Sequence, residues 1–313
     1  MGVNQLDKPL VSVVMATHNR ANKIGNALDS IIRQSYRPIE IIVVNDASTD
    51  NTKQVLENYL DGYKNLITVI ELTTNKGPGT ARNIGIRHAM GKYVAIMDDD
   101  DISLERRLER QVEVLEGAPE VGLCFSSVKN IDQHGNLISV HPKVLTQGEF
   151  PSNPKDIFFH LILKGNIIPN VTIMARRDIL LLYPYAEDIW IGEDKYMFTS
   201  MAAAGIQMMG FPDPLVITNR FGDNLTDLYA KSIAAKRTFL NKVCKTYNIP
   251  LTIRWRSFST QCVREARLYS GMKGLLFLVI ALFLNPANCK AWEALLWFMR
   301  KGLRKIGLAA NQK

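Results

Sequence analysis

The amino-acid sequence predicts an α/β fold in which helices flank a mainly parallel central sheet, followed by a helical C-terminal region. Three observations predict it. Four apolar, strand-like segments alternate with helical segments of roughly ten to fifteen residues over the first 116 residues. Each of these strands runs into polar residues, and right-handed crossovers bring such strand ends to one edge of the sheet. From Leu225 onward the spacing of apolar residues is helical.

The N-terminal elements follow from β-branched apolar runs that alternate with helical spacing. In chain order they are a strand over Leu10–Ala16, a helix over about Ala21–Gln34, a strand over Glu40–Val44, a helix through Leu60, a strand over Leu66–Leu72, a helix from the Asn75–Asn83 glycine turn to about Met90, a strand over Tyr93–Met97 and a helix over Ser103–Glu116. This order is typical of βαβ units.

Beyond Gly117 the pattern becomes mixed. The predicted elements there are a strand over Val121–Ser127, a strand over Ile167–Ala175, a helix from Glu193-Asp194 to about Ala204 and a final short strand within Pro212–Ile217. We therefore expect residues 1–117 to form a nucleotide-binding half and 118–226 an acceptor-binding half of one domain. Residues 227–313 are expected to form a helical C-terminal region.

Four consecutive aspartates, Asp98 to Asp101, end the fourth strand abruptly. In open α/β sheets ligands bind outside the carboxyl ends of strands, which is where this cluster falls. Carboxylate oxygens favour Mg²⁺ or Mn²⁺, commonly shared with a substrate's phosphates. The alternative is a solvated acidic loop. The polar ends of the other three strands, which include Thr17–Arg20 and Asp46, converge on the same edge and favour a ligand site.

Composition restricts the class of protein. A hydrophobic content of 47% and a charged content of 22% over 313 residues are those of a globular protein. The net charge of +8 favours anionic partners, but no zinc-finger spacing or RNA-binding aromatic signature is present, so nucleic acid is not expected as a partner. Four cysteines without a CxxC pair and a first segment without a signal-peptide core indicate a cytoplasmic protein.

The C-terminal region carries two apolar segments. Gly274–Leu284 is much shorter than the ~20 residues that a membrane-spanning helix needs, so we expect it not to span a bilayer. After Pro286, a stripe of apolar residues gives way to basic ones; it consists of Trp292, Leu295, Leu296 and Met299, then Arg300, Lys301, Arg304 and Lys305. Such a segment can lie on an anionic membrane surface, on the inner face of the cell membrane. The alternative is a helical cap packed on the domain.

Five motifs in one order carry a family resemblance. They are Val11–Val14 with Thr17–Arg20, Glu40–Asp50, Gly77–Asn83, Met97–Asp101 and Gly192–Asp194. Together they cover residues 10 to about 226, and the sequence resembles the inverting family-two glycosyltransferases of GT-A fold, including those of bacterial cell-surface glycan synthesis. The resemblance implies a nucleotide-diphosphate sugar donor, with a UDP-sugar expected, and a glycan or lipid-linked acceptor.

The resemblance also implies donor-side roles. In the family a DxD-type cluster supplies the metal and ribose contacts; here Asp100 is expected to bind Mn²⁺ or Mg²⁺, and Asp98 or Asp99 to contact ribose or metal. The Thr17–Arg20 segment, with Thr17, Asn19 and Arg20, is expected to contact the donor. Asp46 matches the residue that reads the base, since a carboxylate accepts from the uracil N3–H. The alternative for Asp46 is an N-cap of the next helix.

Acceptor-side roles follow from the same resemblance. Asp194 matches the catalytic base that takes the proton of the acceptor hydroxyl, and Glu193 is expected to orient the acceptor or the start of the helix.

Arg82 is expected near the leaving diphosphate, with a structural salt bridge as the alternative. Trp190 can stack on a sugar ring, although a core position is the favoured interpretation.

Two departures from the family pattern bear on these roles. No His occurs in Asn219–Thr226, where many members have one that reaches the metal, so the metal is expected to be held by Asp100, phosphates and water. Tyr183–Asp188 replaces the usual glycine-rich stretch before Glu193-Asp194. Two rival functions are a sugar-phosphate nucleotidyltransferase, disfavoured because Thr17–Arg20 is not its glycine-rich signature, and a non-catalytic membrane-associated scaffold.

Overall fold

The computed structural model describes residues 8–143, 150–151, 153–219, 229–266 and 272–297. The chain forms two compact units. The first comprises residues up to 224 without 162–164, and the second comprises the residues from 225 together with 162–164. The strands are β1 (Val11–Thr17), β2 (Ile39–Asn45), β3 (Ile67–Glu71), β4 (Tyr93–Asp98), β5 (Ile102–Ser103), β6 (Val121–Ile131), β7 (Leu137–His141), β8 (Met174–Arg176) and β9 (Gln207–Asn219).

Helices separate most of these strands. They are α1 (Ile24–Ile32), α2 (Thr52–Tyr63), α3 (Pro78–His88), α4 (Arg107–Gly117), α5 (Pro154–Leu163), α6 (Arg177–Leu182), α7 (Glu193–Ala203), α8 (Tyr229–Thr246), α9 (Leu251–Ala266) and α10 (Met272–Leu284). The four predicted N-terminal strands and the helices between them are confirmed, with ends that differ by a few residues.

The strands form one sheet with the order β3-β2-β1-β4-β8-β6-β9-β5, and β7 pairs with β6. The pairs among β3, β2, β1 and β4 are parallel, as is the pair of β6 with β9, whereas β8 joins the two groups by antiparallel pairing. The sheet is thus mainly parallel with helices around it, and the predicted fold class is confirmed.

Strand register aligns the ends of β1, β2 and β4. Ala16 of β1 pairs with Val44 of β2 and with Asp98 of β4. These strands are buried over nearly their whole length, because both sheet faces are covered, as is usual for parallel strands. The register therefore brings the residues after Thr17, Asn45 and Asp98 to one edge of the sheet.

The helix predicted over Ser103–Glu116 starts later than expected, at Arg107. Ile102 and Ser103 instead form β5, which pairs with the Val216-Ile217 part of β9. The backbone N–H of Ser103 also donates to the Ser30 hydroxyl at 3.0 Å. Pairing with β9, a distant segment, thus places in a strand a residue that local spacing had assigned to the helix.

The strand predicted over Ile167–Ala175 is largely wrong. Asn170–Thr172 form a short 3-10 helix, and the strand β8 begins only at Met174. The Thr172 hydroxyl donates to the carbonyl of Pro169, and that hydroxyl also lies within hydrogen-bonding distance of Ser126. A side chain that bonds back to its own backbone offers an alternative to the strand ladder.

The last strand is longer than predicted, because β9 runs for 13 residues although it contains Pro212 and Pro214. The register with β6 shifts there: Ser126 pairs with Phe211 and Ser127 with Pro214. Two residues of β9 are therefore accommodated in an irregularity of the ladder, which is where proline is tolerated in a sheet.

The described residues of the second unit are mainly helical, as predicted, with breaks at 247–250 and 285–288. Its core contains Cys262, Val263 and Ala266 of α9 with Leu278 and Ala281 of α10. Residues 289–297 are also helical. Within the described residues, no helix has both the length and the apolar character needed to cross a bilayer. Of the predicted basic stripe, Met299 to Lys305 lie outside the described residues.

Candidate active site

The loops after β1 and β2 are joined through Asn19. Its backbone has a positive φ of 55°, and its Oδ1 accepts from the backbone N–H of Thr49 at 2.7 Å. Its own N–H donates to the Ser48 hydroxyl at 2.9 Å, and the N–H of Arg20 donates to Thr52 at 2.8 Å. Asn19 thus holds the two strand-end loops together in this structure, while Thr17 is buried at the end of β1.

Asp46 is buried and its carboxylate holds the glycine turn before α3. Oδ1 accepts from the backbone N–H of Lys76 at 2.7 Å and Oδ2 from that of Gly77 at 2.8 Å. It does not cap α2, because Asp50 accepts from the N–H of Thr52 at the start of that helix. The capping alternative for Asp46 is therefore wrong. Each Asp46 oxygen keeps a further lone pair as an acceptor.

The acidic cluster at the end of β4 has cationic neighbours from two segments, the β1–α1 loop and α3. Arg82 Nη2 donates to Asp98 Oδ1 at 2.8 Å, whereas Arg20 Nε lies 3.5 Å from Asp99 Oδ1 and Lys23 Nζ lies 3.8 Å from Asp100 Oδ2. Asn219, at the end of β9, donates to the backbone carbonyl of Asp100 at 3.2 Å. The rest of the Asn219–Thr226 stretch, where the family's His is missing, lies outside the described residues.

Burial and mutual repulsion make this cluster electrostatically unfavourable. The pKa of Asp99 is raised to about 7, first by burial and then by the neighbouring Asp100 and Asp98 carboxylates, against the lowering effect of Arg20. The pKa of Asp100 is also raised, first by burial and then by Asp98. For Asp101 burial is again the largest cause of the raised pKa. A divalent cation next to these groups would relieve the repulsion.

The carboxylates of the acidic cluster are chemically suitable ligands for Mg²⁺ or Mn²⁺, but too few of them are grouped to hold the ion alone. Carboxylate oxygens are the hard ligands that these ions prefer. In the part of the chain that the structure describes, no three His, Cys, Asp or Glu side chains are grouped so as to hold a metal ion by themselves. Asp100, whose nearest described cation is Lys23 at 3.8 Å, would need phosphate oxygens and water to complete a metal site.

Arg82 connects this cluster to the start of α7. The side chain is 8% exposed, and its Nη1 donates to Glu193 Oε1 at 2.8 Å while Nη2 holds Asp98. The guanidinium also lies 5.4 Å from the ring centre of Tyr185. Its Nε has no hydrogen-bond partner among the described residues. The structural salt bridge foreseen for Arg82 is present, and it has two carboxylate partners.

Glu193 and Asp194 form the first turn of α7, where acidic residues suit the helix dipole. Gly192 precedes them with a φ of 89°, a left-handed conformation that glycine adopts without penalty. Asp194 is half-buried, and its Oδ2 accepts from Asn166 Nδ2 at 2.9 Å. Its Oδ1 accepts from the N–H of Lys195 at 2.6 Å. The candidate base is therefore oriented by a side chain from outside its helix.

The pKa of the Asp194 carboxyl is raised to about 7, first by burial and then by the adjacent Glu193 carboxylate. The Lys195 N–H and the Arg82 guanidinium act in the opposite direction. A carboxyl group that titrates near neutral pH can exchange a proton with a substrate hydroxyl under physiological conditions. This electrostatic environment is the one that a general base needs.

Trp190 is not a core residue, so the favoured interpretation from the sequence is wrong. The side chain is 58% exposed. It lies against the glycine turn: a Cβ atom at Gly77 would be 3.3 Å from Trp190 Cε2. The turn that Asp46 holds and the segment before α7 are thus in contact, and much of the Trp190 side chain is exposed to solvent.

Sequence reasoning missed three contributors to this region. Asn166 contacts Asp194, Tyr185 packs beside Arg82, and Asn83 fixes the Tyr185 backbone through hydrogen bonds of 2.9 and 3.0 Å. Gly79 permits this packing, because a Cβ there would lie 3.0 Å from the carbonyl oxygen of Ala186. Asn83 belongs to a recognised motif, but nothing in the local sequence around Asn166 signals its partner 28 residues later.

Comparison with known proteins identifies the family. The family model described as glycosyl transferase family 2 matches residues 12–180, more than half of the chain. The chain belongs to this family. An uncharacterized glycosyltransferase of Haemophilus influenzae is 30% identical over 259 residues, which cover 75% of this chain and 76% of that protein. One of Methanocaldococcus jannaschii is 38% identical over 195 residues, 61% of this chain and 64% of that protein.

Other similar proteins extend the comparison. A candidate teichuronic acid biosynthesis glycosyltransferase of Bacillus subtilis, TuaG, is 31% identical over 55% of this chain and 64% of its own length. The chain therefore spans less than two thirds of the length of several of these family 2 relatives. All of these proteins carry glycosyltransferase names, as the family assignment leads one to expect.

Solved structures establish the fold class. Staphylococcus aureus TarS 1-349 in complex with UDP-GlcNAc aligns with a TM-score of 0.61 at 18% identity, over 88% of this chain and 81% of that one. The mannosyltransferase PcManGT from Pyrobaculum calidifontis, in complex with GDP-Man and Mn²⁺, aligns with a TM-score of 0.59 at 21% identity, over 96% and 88%. Family 2 membership and this likeness show that the chain has the GT-A fold.

Proposed function

We propose that this family 2 protein is an inverting glycosyltransferase that moves a sugar from a nucleotide-diphosphate donor to a hydroxyl group of a glycan or lipid-linked acceptor. One observation carries the proposal. Arg82 joins Asp98 of the acidic cluster to Glu193, the neighbour of Asp194, through two hydrogen bonds of 2.8 Å. A donor-side carboxylate and a candidate base are thereby held in one array, as a direct displacement requires.

In the proposed reaction Asp194 acts as the general base. As the acceptor oxygen attacks the anomeric carbon, its proton passes to the Asp194 carboxylate and the bond from that carbon to the diphosphate oxygen breaks. The leaving diphosphate takes the bonding electron pair. Attack from the face opposite the leaving group inverts the anomeric centre. Asn166 orients the Asp194 carboxylate for this step through its 2.9 Å hydrogen bond.

The donor side of the proposal rests on the loops at the sheet edge. Asp46, held by the glycine turn, would accept a hydrogen bond from the nucleobase of the donor. Asp98 or Asp99 would contact the ribose or the metal. Thr17, Asn19 and Arg20 would shape the loop against the nucleotide. Asp100 would hold Mn²⁺ or Mg²⁺ together with donor phosphates, and the ion would supply positive charge to the leaving diphosphate.

The acceptor and the location are proposed from the relatives and from the second unit. The similarity to TuaG supports a role in cell-surface polysaccharide synthesis. A growing glycan of this kind, attached to a lipid, suits a cytoplasmic enzyme that associates peripherally with the inner face of the cell membrane. Residues 1–117 are proposed as the donor-binding half, 118–226 as the acceptor-binding half and 227–313 as the membrane-associating region.

Two donor classes compete within this proposal. TarS was solved with UDP-GlcNAc, which supports a UDP-sugar, and PcManGT was solved with GDP-Man, which supports a GDP-sugar. We favour UDP because Asp46 matches, by family resemblance, the residue that accepts from the uracil N3–H. Family membership disfavours a sugar-phosphate nucleotidyltransferase. A non-catalytic scaffold of the same fold would bind neither nucleotide nor metal at this edge.

Thermal unfolding with UDP, GDP or dTDP, each with and without Mn²⁺, tests the donor site. A ligand that binds only the folded protein raises the unfolding midpoint. We expect UDP to raise the unfolding midpoint only when Mn²⁺ is present. Asp100→Ala should abolish that rise. A rise with GDP alone would mean that the donor nucleotide carries guanine and not uracil, and the enzyme class would be unchanged. No rise with any nucleotide would support the scaffold.

A further inference from the structure

The helix α10 exposes its bulky side chains. Phe283 is 86% exposed, Met272 81% and Leu276 57%, and Val279 and Ile280 are exposed as well. At 3.6 residues per turn these five positions fall within an arc of about 100°. We call these five residues the outer face of α10. It is a continuous stripe of large apolar side chains without a covering element among the described residues.

The opposite side of α10 packs against α9. Gly274, Leu278 and Ala281 are buried, and they lie on the side opposite the outer face. The buried Ser259 hydroxyl of α9 donates to the carbonyl of Ala281 at 2.7 Å, and Asn288 Nδ2 donates to Ser259 at 2.8 Å. The helix is therefore apolar on both sides: one side is buried in the core of the unit, and the large side chains of the outer face are left exposed.

Charge is distributed unequally along the chain. Residues 225–313 contain 16 Lys and Arg against 3 Asp and Glu, whereas residues 1–224 contain 22 against 27. The second unit is therefore strongly basic although the chain as a whole carries only +8. Two tryptophans of the same unit, Trp255 and Trp292, are about half exposed. Tryptophan with basic residues is typical of proteins at a membrane–water interface.

We propose that the outer face of α10 inserts into the surface of an anionic lipid bilayer, with the helix lying in the plane of that surface. This inference deepens the peripheral membrane location within the proposed function and rests on it. The apolar stripe supplies the hydrophobic contact, and the positive charge of the unit supplies the attraction to acidic headgroups. At 13 residues the helix is far too short to cross the ~30 Å hydrocarbon core.

A second copy of the chain is the competing occupant of the outer face. Two copies would bring two units of like charge together, and such a contact is opposed by repulsion at low ionic strength. An anionic bilayer reverses the sign of that interaction. Lys273, at the start of α10, and Lys290, shortly after its end, are exposed and can meet headgroups at both ends of the stripe.

Vesicle co-sedimentation of the full chain tests the proposal. The probes are vesicles of phosphatidylcholine alone and vesicles that also contain phosphatidylglycerol. The variant Leu276→Ser/Phe283→Ser removes two large side chains of the outer face. The matched control is Leu137→Ser/Ile138→Ser, because these side chains of β7 are 59% and 56% exposed and lie in the first unit. Unfolding midpoints of both variants verify that the fold is intact.

We expect the wild-type chain to bind the phosphatidylglycerol vesicles, to bind phosphatidylcholine alone weakly and to be released by salt. The α10 variant should lose at least about tenfold in vesicle affinity, and the β7 control should bind as wild type. Equal binding by both variants would overturn the proposal, as would an oligomer that the α10 substitutions dissociate. Because the nucleotide-dependent midpoint is measured without lipid, failure of the donor site is distinguished from failure of this surface.

Discussion

Arg82 and Glu193 are 111 residues apart in the sequence, and their side chains form a buried ion pair in which Arg82 Nη1 lies 2.8 Å from Glu193 Oε1. The same guanidinium holds Asp98 at 2.8 Å through Nη2. The end of β4 and the first turn of α7 are therefore connected by one side chain. This connection fixes the position of Asp194 relative to the acidic cluster.

The first prediction concerns the stability that depends on Arg82. Arg82→Met keeps the length of the side chain but leaves Glu193 and Asp98 without their cation. We expect a loss of about 3 kcal/mol or more in the free energy of unfolding, since removing one partner of a buried ion pair strands a desolvated charge. Urea unfolding at pH 8 measures it.

Arg110 provides the matched control for Arg82. It pairs with Glu113 and with Asp213, but its side chain is 41% exposed. Exposed pairs contribute little, so Arg110→Met should cost less than about 1 kcal/mol. Similar losses in the free energy of unfolding for the two variants would show that the buried Arg82 ion pairs stabilise the fold no more than an exposed pair does.

The second prediction concerns pH and Asp194. The folded state keeps the Asp194 proton up to about pH 7, while the unfolded chain releases it near pH 4. The folded state thus binds more protons in this window, and this group lowers the stability as pH rises from about 4 through about 7. Asp194→Asn cannot titrate, so its unfolding midpoint should rise relative to wild type across that window and stay higher above it.

Thermal unfolding from pH 4.5 to 8.5 checks this difference. The range covers most of the interval between the unfolded-state and folded-state pKa values of Asp194 and extends above it. The exposed Asp61 of α2 supplies the control variant Asp61→Asn, which removes a carboxylate at the surface, outside this site. A midpoint difference between wild type and Asp194→Asn that does not change with pH would mean that the Asp194 carboxyl is not a raised-pKa group.

The third prediction tests Asn166 as a positioning residue for Asp194. Its amide donates to the Asp194 carboxylate, a bond that favours the ionised form. Asn166→Ala should therefore move the acid limb of the activity profile to higher pH and lower the rate at pH 7 by about tenfold. Rates should approach those of wild type at high pH, where the carboxylate is ionised in both proteins. A uniform loss at every pH would indicate a merely structural role.

The fourth prediction concerns the glycine turn. Gly77 has φ 84° and ψ 161°, a region that only glycine occupies readily. Gly77→Ala should cost about 1–3 kcal/mol and weaken nucleotide binding, because the Gly77 N–H donates to Asp46. The double variant Gly77→Ala/Trp190→Ala removes the 3.3 Å contact but not the backbone strain. Denaturant unfolding should show little recovery; full recovery would mean that the Trp190 contact, not the backbone, is the constraint.

Much of the fold could be predicted because β1, β2 and β4 are mainly apolar runs that are buried over nearly their whole length. Local patterns failed where tertiary pairing decided the outcome. Ser103 has a helical context but pairs with β9, and Ile167–Ala175 is rich in strand-forming residues but only Met174–Arg176 reach partners in the sheet. The length of β9 was missed because its two prolines fall at a ladder irregularity that the sequence does not reveal.

The site was predictable only in part for a similar reason. Strand-end position placed the aspartate cluster at the sheet edge, and motif order led to Asp194. No local pattern indicates that Arg82 reaches Glu193 or that Asn166 reaches Asp194, because such contacts depend on how distant segments pack. Tryptophan is a residue type that is highly buried on average, which favoured a core position for Trp190, but its side chain is exposed although the preceding Ile189 is buried.

The role of Asp194 is tested by the release of nucleotide diphosphate from UDP-sugars and GDP-sugars, followed with and without Mn²⁺. We predict that wild type turns over one donor class in the presence of the metal. Asp194→Asn should slow that release by about 10²–10⁴-fold, while the same nucleotide still raises its unfolding midpoint. An Asp194→Asn protein that binds the nucleotide and releases it from the donor at the wild-type rate would contradict the assignment of Asp194 as the base.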